Sequence, residues 1–260
     1  MSQAKRCVPC AAGHRKCDHE LGKRILVIPD TQAKPDVPND HFTRVGKYIA
    51  HKRPDYIVHL GDHWDMPSLS SYDIGKKCFE GRRYKKDIEA GNEAMRLLTS
   101  EYRSVEGYRP RQVFLMGNHE ERILRAVEMD ATLEGLMGYE DFALDGWEVH
   151  DFLNVVSIEG IKFSHYFTSG IYGRPVPSAA VLLREAMGSA VMGHTQKVDM
   201  AIHGKTGAIA LMAGCCYQHD EDYLGPQGNN CRRQVVMLNE CRDGNFDPVF
   251  VSLRFLKNRY

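Results

Sequence analysis

Apolar positions along this chain follow two rhythms, short unbroken runs and helical stripes, which alternate through its first half. Residues 25–29 form a β-branched apolar run that stops at Asp30, as expected of a strand buried on both faces. Residues 40–52 then set Phe42, Val45, Tyr48 and Ile49 on one helical face. A second apolar run at 56–60 ends in Gly61-Asp62, and strand, helix, strand in that order predicts a parallel βαβ unit. After a loop through Pro67 and Gly75, residues 85–103 carry the pattern of a long helix. Residues 113–116 read as a strand that runs straight into Gly117-Asn118-His119.

The second half changes character. Residues 147–150, 155–158 and 161–166 are short strands, the last two joined by the hairpin signal Glu159-Gly160. A helix at 178–187 precedes a strand at 189–192 that ends in Gly193-His194. Strands near 198–203, 207–213, 234–240 and 247–255 then suggest an antiparallel-rich sheet. A parallel-rich half followed by an antiparallel-rich half predicts an α/β fold of two sheets packed face to face with helices outside. Residues 1–23 show no periodicity and read as an appendage to one domain at 24–260, although 260 residues also allow two small domains.

Charge narrows the partners little. Lys and Arg total 34, as do Asp and Glu, so a formal net charge of zero points to no polyanion or membrane surface. Two local segments, Arg82, Arg83, Lys85 and Lys86, and the tail residues Arg254, Lys257 and Arg259, are candidates for a nucleic-acid patch, set against the commoner role of solvated surface. No apolar stretch reaches the roughly 18 residues that span a bilayer. Residues 1–17 lack the apolar segment of a signal peptide, so the expectation is a soluble cytoplasmic protein. Its eight cysteines are then expected to be reduced, with the adjacent Cys215 and Cys216 as core thiols. Cys7, Cys10, His14 and Cys17 are spaced closely enough to form a small structural zinc clip, with a disordered thiol-bearing tail as the alternative.

Five segments end predicted strands in metal-binding residue types: Asp30-Thr31-Gln32, Gly61-Asp62-His63-Trp64-Asp65, Gly117-Asn118-His119-Glu120, His165, and Gly193-His194-Thr195-Gln196. Carboxylate, amide oxygen and imidazole delivered from separate strand ends can converge on a pair of cations that polarise a phosphate and supply hydroxide. Asp30 and Asp62 lead the set, each following an apolar strand at the edge where open α/β sheets place their ligands. Over residues 24–215 the segments resemble the calcineurin-like metallophosphoesterase superfamily, whose pattern runs DxH, GDxxD, GNHE, a lone His and GHxH. The chain looks most like compact bacterial and phage members, which also tend to carry DTQ at the first motif.

The resemblance implies a four-layer αββα sandwich, two mixed β-sheets flanked by helices, and it implies roles residue by residue. Asp62 would bridge two metals, with Asn118, His165 and His194 completing the second site and Asp30, Gln32 and Gln196 the first. Gln32 and Gln196 depart from the pattern, which has histidine at both places. A carboxamide oxygen is a harder and weaker donor than imidazole. The expected cofactors are therefore two divalent ions, Mn²⁺ ahead of Mg²⁺, Fe, Ni or Zn, with the first ion labile. By the same comparison His119 would protonate the leaving oxygen and Asp65 would orient it, the carboxylate raising the imidazole pKa. Glu120 is expected to accept hydrogen bonds behind the ligands, and His59, His63 and Trp64 to serve the rim or core. Tyr172 and Arg174, on a Gly/Pro-rich loop after His165, are candidates for substrate contact.

The implied activity is in-line attack on phosphorus by a metal-bridging hydroxide, with His119 as general acid. Phosphoprotein phosphatases of the superfamily follow GDxVD with an arginine that clamps a monoester, whereas Met66 stands there in this chain. That difference favours a phosphodiesterase or a nucleotide or nucleic-acid phosphoesterase. The alternatives are a phosphomonoesterase acting on proteins or small molecules, and a non-catalytic scaffold whose two glutamines mark a degenerate metal site.

Overall fold

The computed structural model describes residues 22–221 and 225–260. In chain order the elements begin with β1 (Lys23–Ile28), α1 (Asp40–Lys52), β2 (Tyr56–His59), α2 (Tyr84–Arg103), β3 (Arg111–Leu115), α3 (Arg122–Met129) and β4 (Glu148–His150). There follow β5 (Val156–Ile158), β6 (Ile161–Ser164), β7 (Thr168–Ser169), β8 (Arg174–Pro175), α4 (Ala179–Ala186), β9 (Ala190–Met192), β10 (Val198–Ile202) and β11 (Ile209–Ala213). The chain closes with α5 (Gly225–Gly228), β12 (Gln234–Arg242), β13 (Asn245–Ser252) and α6 (Leu253–Arg259).

One sheet runs β13-β12-β1-β2-β3-β4, a second runs β10-β11-β9-β6-β5, and β7 pairs with β8. Strands β1 to β4 are parallel, as the alternation of runs and stripes predicts, with Leu26 opposite Ile57 and Val58 opposite Val113. The last hairpin departs from expectation. Instead of extending the second sheet, β12 lies antiparallel to β1, with Leu26 opposite Met237, and β13 forms the edge of the first sheet. An apolar run reports that a strand is buried but not which edge it joins. In the second sheet β9 is parallel to both β6 and β11, so its antiparallel pairs lie only at the two ends. The strand expected to reach residue 255 stops at Ser252, whose hydroxyl accepts the Phe255 N–H at 3.1 Å and starts α6.

Strand β1 shows why layers form. Ile25 and Val27 face the second sheet among Val58, Leu60, Phe163, Val191 and Leu211, while Leu26 and Ile28 face helices among Phe42, Ile49, Leu98 and Leu256. On the far side of the second sheet, Leu182 of α4 packs on Ala190, Met192 and Met212. The result is an αββα sandwich. Each such buried aliphatic side chain stabilises by about 1.5–3 kcal/mol, and a one-residue slip would move a whole strand face out of its layer. No described helix is long and apolar enough to cross a membrane.

Candidate metal centre

Five strand ends meet at one rim of the sandwich: β1 leads to Asp30, β2 to Asp62, β3 to Asn118, β6 to His165 and β9 to His194. Hydrogen bonds join the two sheets there. Nδ1–H of His165 donates to the Leu60 carbonyl at 2.6 Å, and the His194 N–H donates to Oδ1 of Asp30 at 2.9 Å. Two glycines permit this approach. A Cβ on Gly117 would stand 2.2 Å from Oδ1 of Asp62, and one on Gly193 2.3 Å from Oδ1 of Asp30, so each carboxylate rests against bare backbone. Gln32, Asp62, His194 and Gln196 hold φ at 45°, 49°, 64° and 56°, a left-handed region that costs a side-chain-bearing residue about 1–3 kcal/mol. At Asp62 the restraint is Glu120. Its Oε2 accepts the N–H groups of Gly117 at 2.8 Å and Asp62 at 2.9 Å, and its Oε1 those of His63 at 2.6 Å and Trp64 at 3.0 Å.

Asp62, His165 and His194 each offer a donor atom within 4.8 Å of the others. Asn118 joins them, its Oδ1 3.0 Å from Nε2 of His165, and Oδ2 of Asp62 lies 3.4 Å from the same nitrogen. Because Nδ1 of His165 donates to a carbonyl, Nε2 is the atom presented to this cluster. Asp30 is fully buried beside it. Among the described residues, Oδ2 of Asp30, both carboxamide atoms of Gln32 and Nδ1 of His194 are buried without a hydrogen-bond partner. Such orphans are rare in folded proteins. Gln196 lines the adjoining cavity and accepts the Tyr217 hydroxyl at Oε1, 2.8 Å away.

The charges also call for a cation. With protein groups alone, burial and then the Asp62 charge push Asp30 up to about 7. Burial opposes ionisation of Asp62, yet His119 and His165 hold its carboxyl well below the usual range. Burial likewise opposes a charged His165, but the Asp62 carboxylate raises its pKa to about 9. Two buried carboxylates require positive charge between them, which a dication supplies in place of protons. Carboxylate and carboxamide oxygens with imidazole fit a hard or borderline divalent ion.

Next to this cluster His119 places Nδ1 2.7 Å from Oδ1 of Asp65 and 2.8 Å from the Asp65 carbonyl. Its proton-donating Nδ1 is thereby fixed, and Nε2 faces Oδ2 of Asp62 at 3.8 Å. Burial works against a charged ring, but Asp62 and then Asp65 raise the His119 pKa above its ordinary value. Burial opposes ionisation of Asp65 too, and the hydrogen bond from His119 brings it down to about 2. No motif marks Arg122, yet its Nη1 donates to the carbonyls of Asp65 at 2.7 Å and Met66 at 3.2 Å, and its Nη2 lies 3.3 Å from Nε2 of His119. The available signal is spacing, three residues after His119 at the start of α3 and so one turn along. A cavity of about 810 Å³ opens over Asp62, Asp65, Asn118, His119, Arg122 and His194. Lys34, also unmarked by any motif, stands on its wall, 2.7 Å from Glu221 and 3.5 Å from Asp65.

The remaining candidates lie elsewhere. His59 and His63 are buried and belong to a single proton chain: Gly61 N–H to His59, His59 to Thr31 Oγ1, Thr31 to Nδ1 of His63, and Nε2–H of His63 to the Gly91 carbonyl. Burial lowers both their pKa values, that of His63 to about 4, so the chain is neutral and structural. Tyr172 is 83% exposed and Arg174 sits in β8, and neither lines the cavity. Cys215 and Cys216 are buried free thiols. Cys7, Cys10, His14 and Cys17 lie outside the described residues.

Several known proteins are similar to this chain. The gene 54 protein of Mycobacterium phage L5 is 41% identical over 69 residues, 26% of this chain and 27% of that protein, and the gene 54 protein of Mycobacterium phage D29 is 39% identical over 69 residues with the same shares. The matched stretch thus spans about a quarter of each phage protein. Among solved structures, Vps29 of Entamoeba histolytica in complex with zinc gives a TM-score of 0.38 at 14% identity, covering 88% of this chain and 99% of that one. A conserved Streptococcus pneumoniae protein described as a predicted phosphoesterase gives 0.37 at 13% identity, covering 89% and 90%. The family model for calcineurin-like phosphoesterases matches residues 23–226, which include every strand end described above. This chain belongs to the calcineurin-like phosphoesterase family.

Proposed function

We propose that the protein is a two-metal phosphodiesterase acting on nucleotide or nucleic-acid esters. The supporting observation is that two arrangements meet at one cavity: the donors of buried Asp62 and His165 and half-buried His194 within 4.8 Å, and beside them the 2.7 Å pair of His119 and Asp65. Asp62, Asn118, His165 and His194 would hold one cation, and Asp30, Gln32, Asp62 and Gln196 the other, with Mn²⁺ suited to the oxygen-rich set. Bound cations would neutralise phosphate oxygens and lower the pKa of water. His119 carries at Nε2 the proton that the departing oxygen takes, and Asp65 keeps the ring charged and aimed through Nδ1. Arg122, anchored through Nη1 on two main-chain carbonyls with Nη2 beside His119, would give Nη2 to a non-bridging phosphate oxygen. The cavity is large enough for a nucleotide-sized group, and Arg83 and Lys86 on its wall suit further phosphates.

Arg122 also favours a second reading, a monoesterase, because a guanidinium can clamp the extra charge of a monoester. The test uses chelator-stripped protein reloaded with Mn²⁺, Mg²⁺, Ni²⁺ or Zn²⁺ and assayed on a bis-p-nitrophenyl ester, the mono-ester, cyclic nucleotides and single-stranded DNA. The diesterase reading expects faster turnover of the bis-ester and of at least one nucleic substrate than of the mono-ester. Turnover of the mono-ester alone selects the second reading, and no turnover with any metal overturns both.

A further inference from the structure

On another face of the molecule, two cysteines from separate segments meet. Cys215 follows β11 and Cys231 precedes β12, and their sulfurs stand 3.1 Å apart as free thiols. A parallel bridge between Cys215 and Arg233, with the Gln234 N–H donating to the Cys215 carbonyl at 2.7 Å, keeps the two segments in register. Cys215 is fully buried. Cys231 is partly exposed and lines a second cavity, of about 610 Å³, together with Arg44, Arg232, Arg233, Arg254 and Lys257; no carboxylate lines it among the described residues, although Asp40 and Asp220 pair with Arg44 and Arg233. Cationic walls favour a thiolate. The hydrogen bond from the Cys215 thiol, with help from Tyr217 and Arg233, brings Cys231 down to about 6, while Cys215 is pushed far up. One sulfur is thus nucleophilic and reachable, and the other stays protonated within reach of it. The Tyr217 hydroxyl connects this pair to the phosphate cavity, lying 2.8 Å from Oε1 of Gln196 and 3.8 Å from Sγ of Cys231.

We propose that Cys215 and Cys231 form an oxidisable pair that closes to a disulfide and, through Tyr217, loosens the cation position served by Gln196. The first half rests on the cysteines alone, and the second on the reading of Gln196 as a metal ligand. With hydrogen peroxide as oxidant, the Cys231 thiolate attacks one peroxide oxygen, the O–O bond breaks and hydroxide leaves, giving a sulfenic acid. The Cys215 sulfur then attacks the Cys231 sulfur, the S–O bond breaks, and the departing hydroxide takes the Cys215 proton as water. Bonding requires the sulfurs to draw together by about 1 Å. Tyr217 has one hydroxyl proton for two acceptors. A Cys231 thiolate competes with Gln196 for it, whereas in the disulfide that competitor is gone, the Tyr217 hydroxyl donates fully to Oε1 of Gln196, and that oxygen becomes a poorer donor to a cation.

The test treats full-length, reduced, metal-free protein with hydrogen peroxide near neutral pH, then combines non-reducing peptide mapping with Mn²⁺ titration by equilibrium dialysis. The expected result is a Cys215–Cys231 linked peptide, reversed by dithiothreitol, with Mn²⁺ bound about threefold more weakly in the oxidised form. Tyr217→Phe should still form the link but lose the difference in affinity, and Cys231→Ser should show neither. Oxidation that produces no Cys215–Cys231 link overturns the pair, and a link with unchanged Mn²⁺ affinity overturns the coupling. Neither readout needs turnover, so a protein that links but hydrolyses no ester refutes the phosphodiesterase reading and not the thiol pair.

Discussion

Nη2 of Arg122 lies 3.3 Å from Nε2 of His119, so a fixed positive charge and the acid face of an imidazole share one side of the cavity. The guanidinium is held by the carbonyls of Asp65 and Met66, and no carboxylate is among these contacts. On the proposed reading, a phosphate oxygen is the anionic partner of this guanidinium. Lysine at this position keeps the charge but cannot hold both carbonyls and a phosphate at once. A charge-assisted hydrogen bond contributes about 1.5–3 kcal/mol, so kcat/KM on the bis-ester should fall about tenfold for Arg122→Lys and about a hundredfold for Arg122→Ala, with KM rising in both. Steady-state kinetics check this, and wild-type values in the alanine variant remove Arg122 from the site.

Glu120 receives four main-chain N–H groups, two on each oxygen. Glutamine there would turn an NH₂ towards two of these donors. With those bonds lost and like groups opposed, Glu120→Gln should cost about 3 kcal/mol of stability and lower the melting temperature by about 6–12 °C in a domain of this size. Metal affinity should fall with it, because Asp62 holds φ at 49° only while its N–H is gripped. Thermal melts and metal analysis of the purified variant decide the matter. A melt within a degree or two of wild type would show that the carboxylate is dispensable.

The same carboxylate shows what was legible in the sequence. Strands buried on both faces read as unbroken apolar runs, so the residue that breaks each run, such as Asp30 after β1 or Asp62 after β2, stands out at once. Since parallel strands end at one rim, residues far apart in sequence converge there, and the αββα layering follows from the alternating inward and outward positions of β1. Three kinds of feature were hidden. The partner of β12 is a choice among edges with similar apolar faces. Arg122 lies on α3, where Ile123 alone is buried and the apolar stripe is too short to announce a helix. Tyr217 reaches Gln196 across 21 residues of chain, a contact that only the folded backbone brings about.

His41 tests the core by pH. Its ring is buried, Nε2–H donates to the Cys216 carbonyl at 3.0 Å, and Nδ1 has no partner among the described residues. Burial lowers its pKa from 6.5 to about 4; the hydrogen bond to Cys216 and then the Asp40 charge oppose the shift, and His219 and Arg44 add to it. Because the folded value is depressed, His41 contributes fully above pH ~6.5, and stability falls as pH drops towards 4, where the unfolded chain binds a proton that the folded one does not. Across about 2.5 pH units the loss is about 3 kcal/mol. His41→Gln retains a donor for Cys216 but cannot titrate, so its stability should decline less over this window by that amount. Urea unfolding at a series of pH values measures both slopes, and parallel curves would rule out His41 as the source.

The two glutamines offer the sharpest test of the metal reading. Gln32 is fully buried with neither carboxamide atom partnered, beside Asp30, and its φ of 45° is one that histidine tolerates better than most residues. Gln196 accepts from Tyr217 through Oε1, and an imidazole there can bind a cation with one nitrogen while the N–H of the other donates to the Tyr217 oxygen. If both glutamines face a weakly held ion, wild-type protein stripped of loose metal should retain about one divalent ion per chain, and Gln32→His combined with Gln196→His about two, with zinc now taken ahead of manganese because nitrogen donors have replaced amide oxygens. Elemental analysis after gel filtration, with both metals offered in equal amounts, gives the count and the preference together. A double variant that folds but retains no more metal than wild type would place these side chains outside any cation site and leave a one-metal centre built on Asp62, Asn118, His165 and His194.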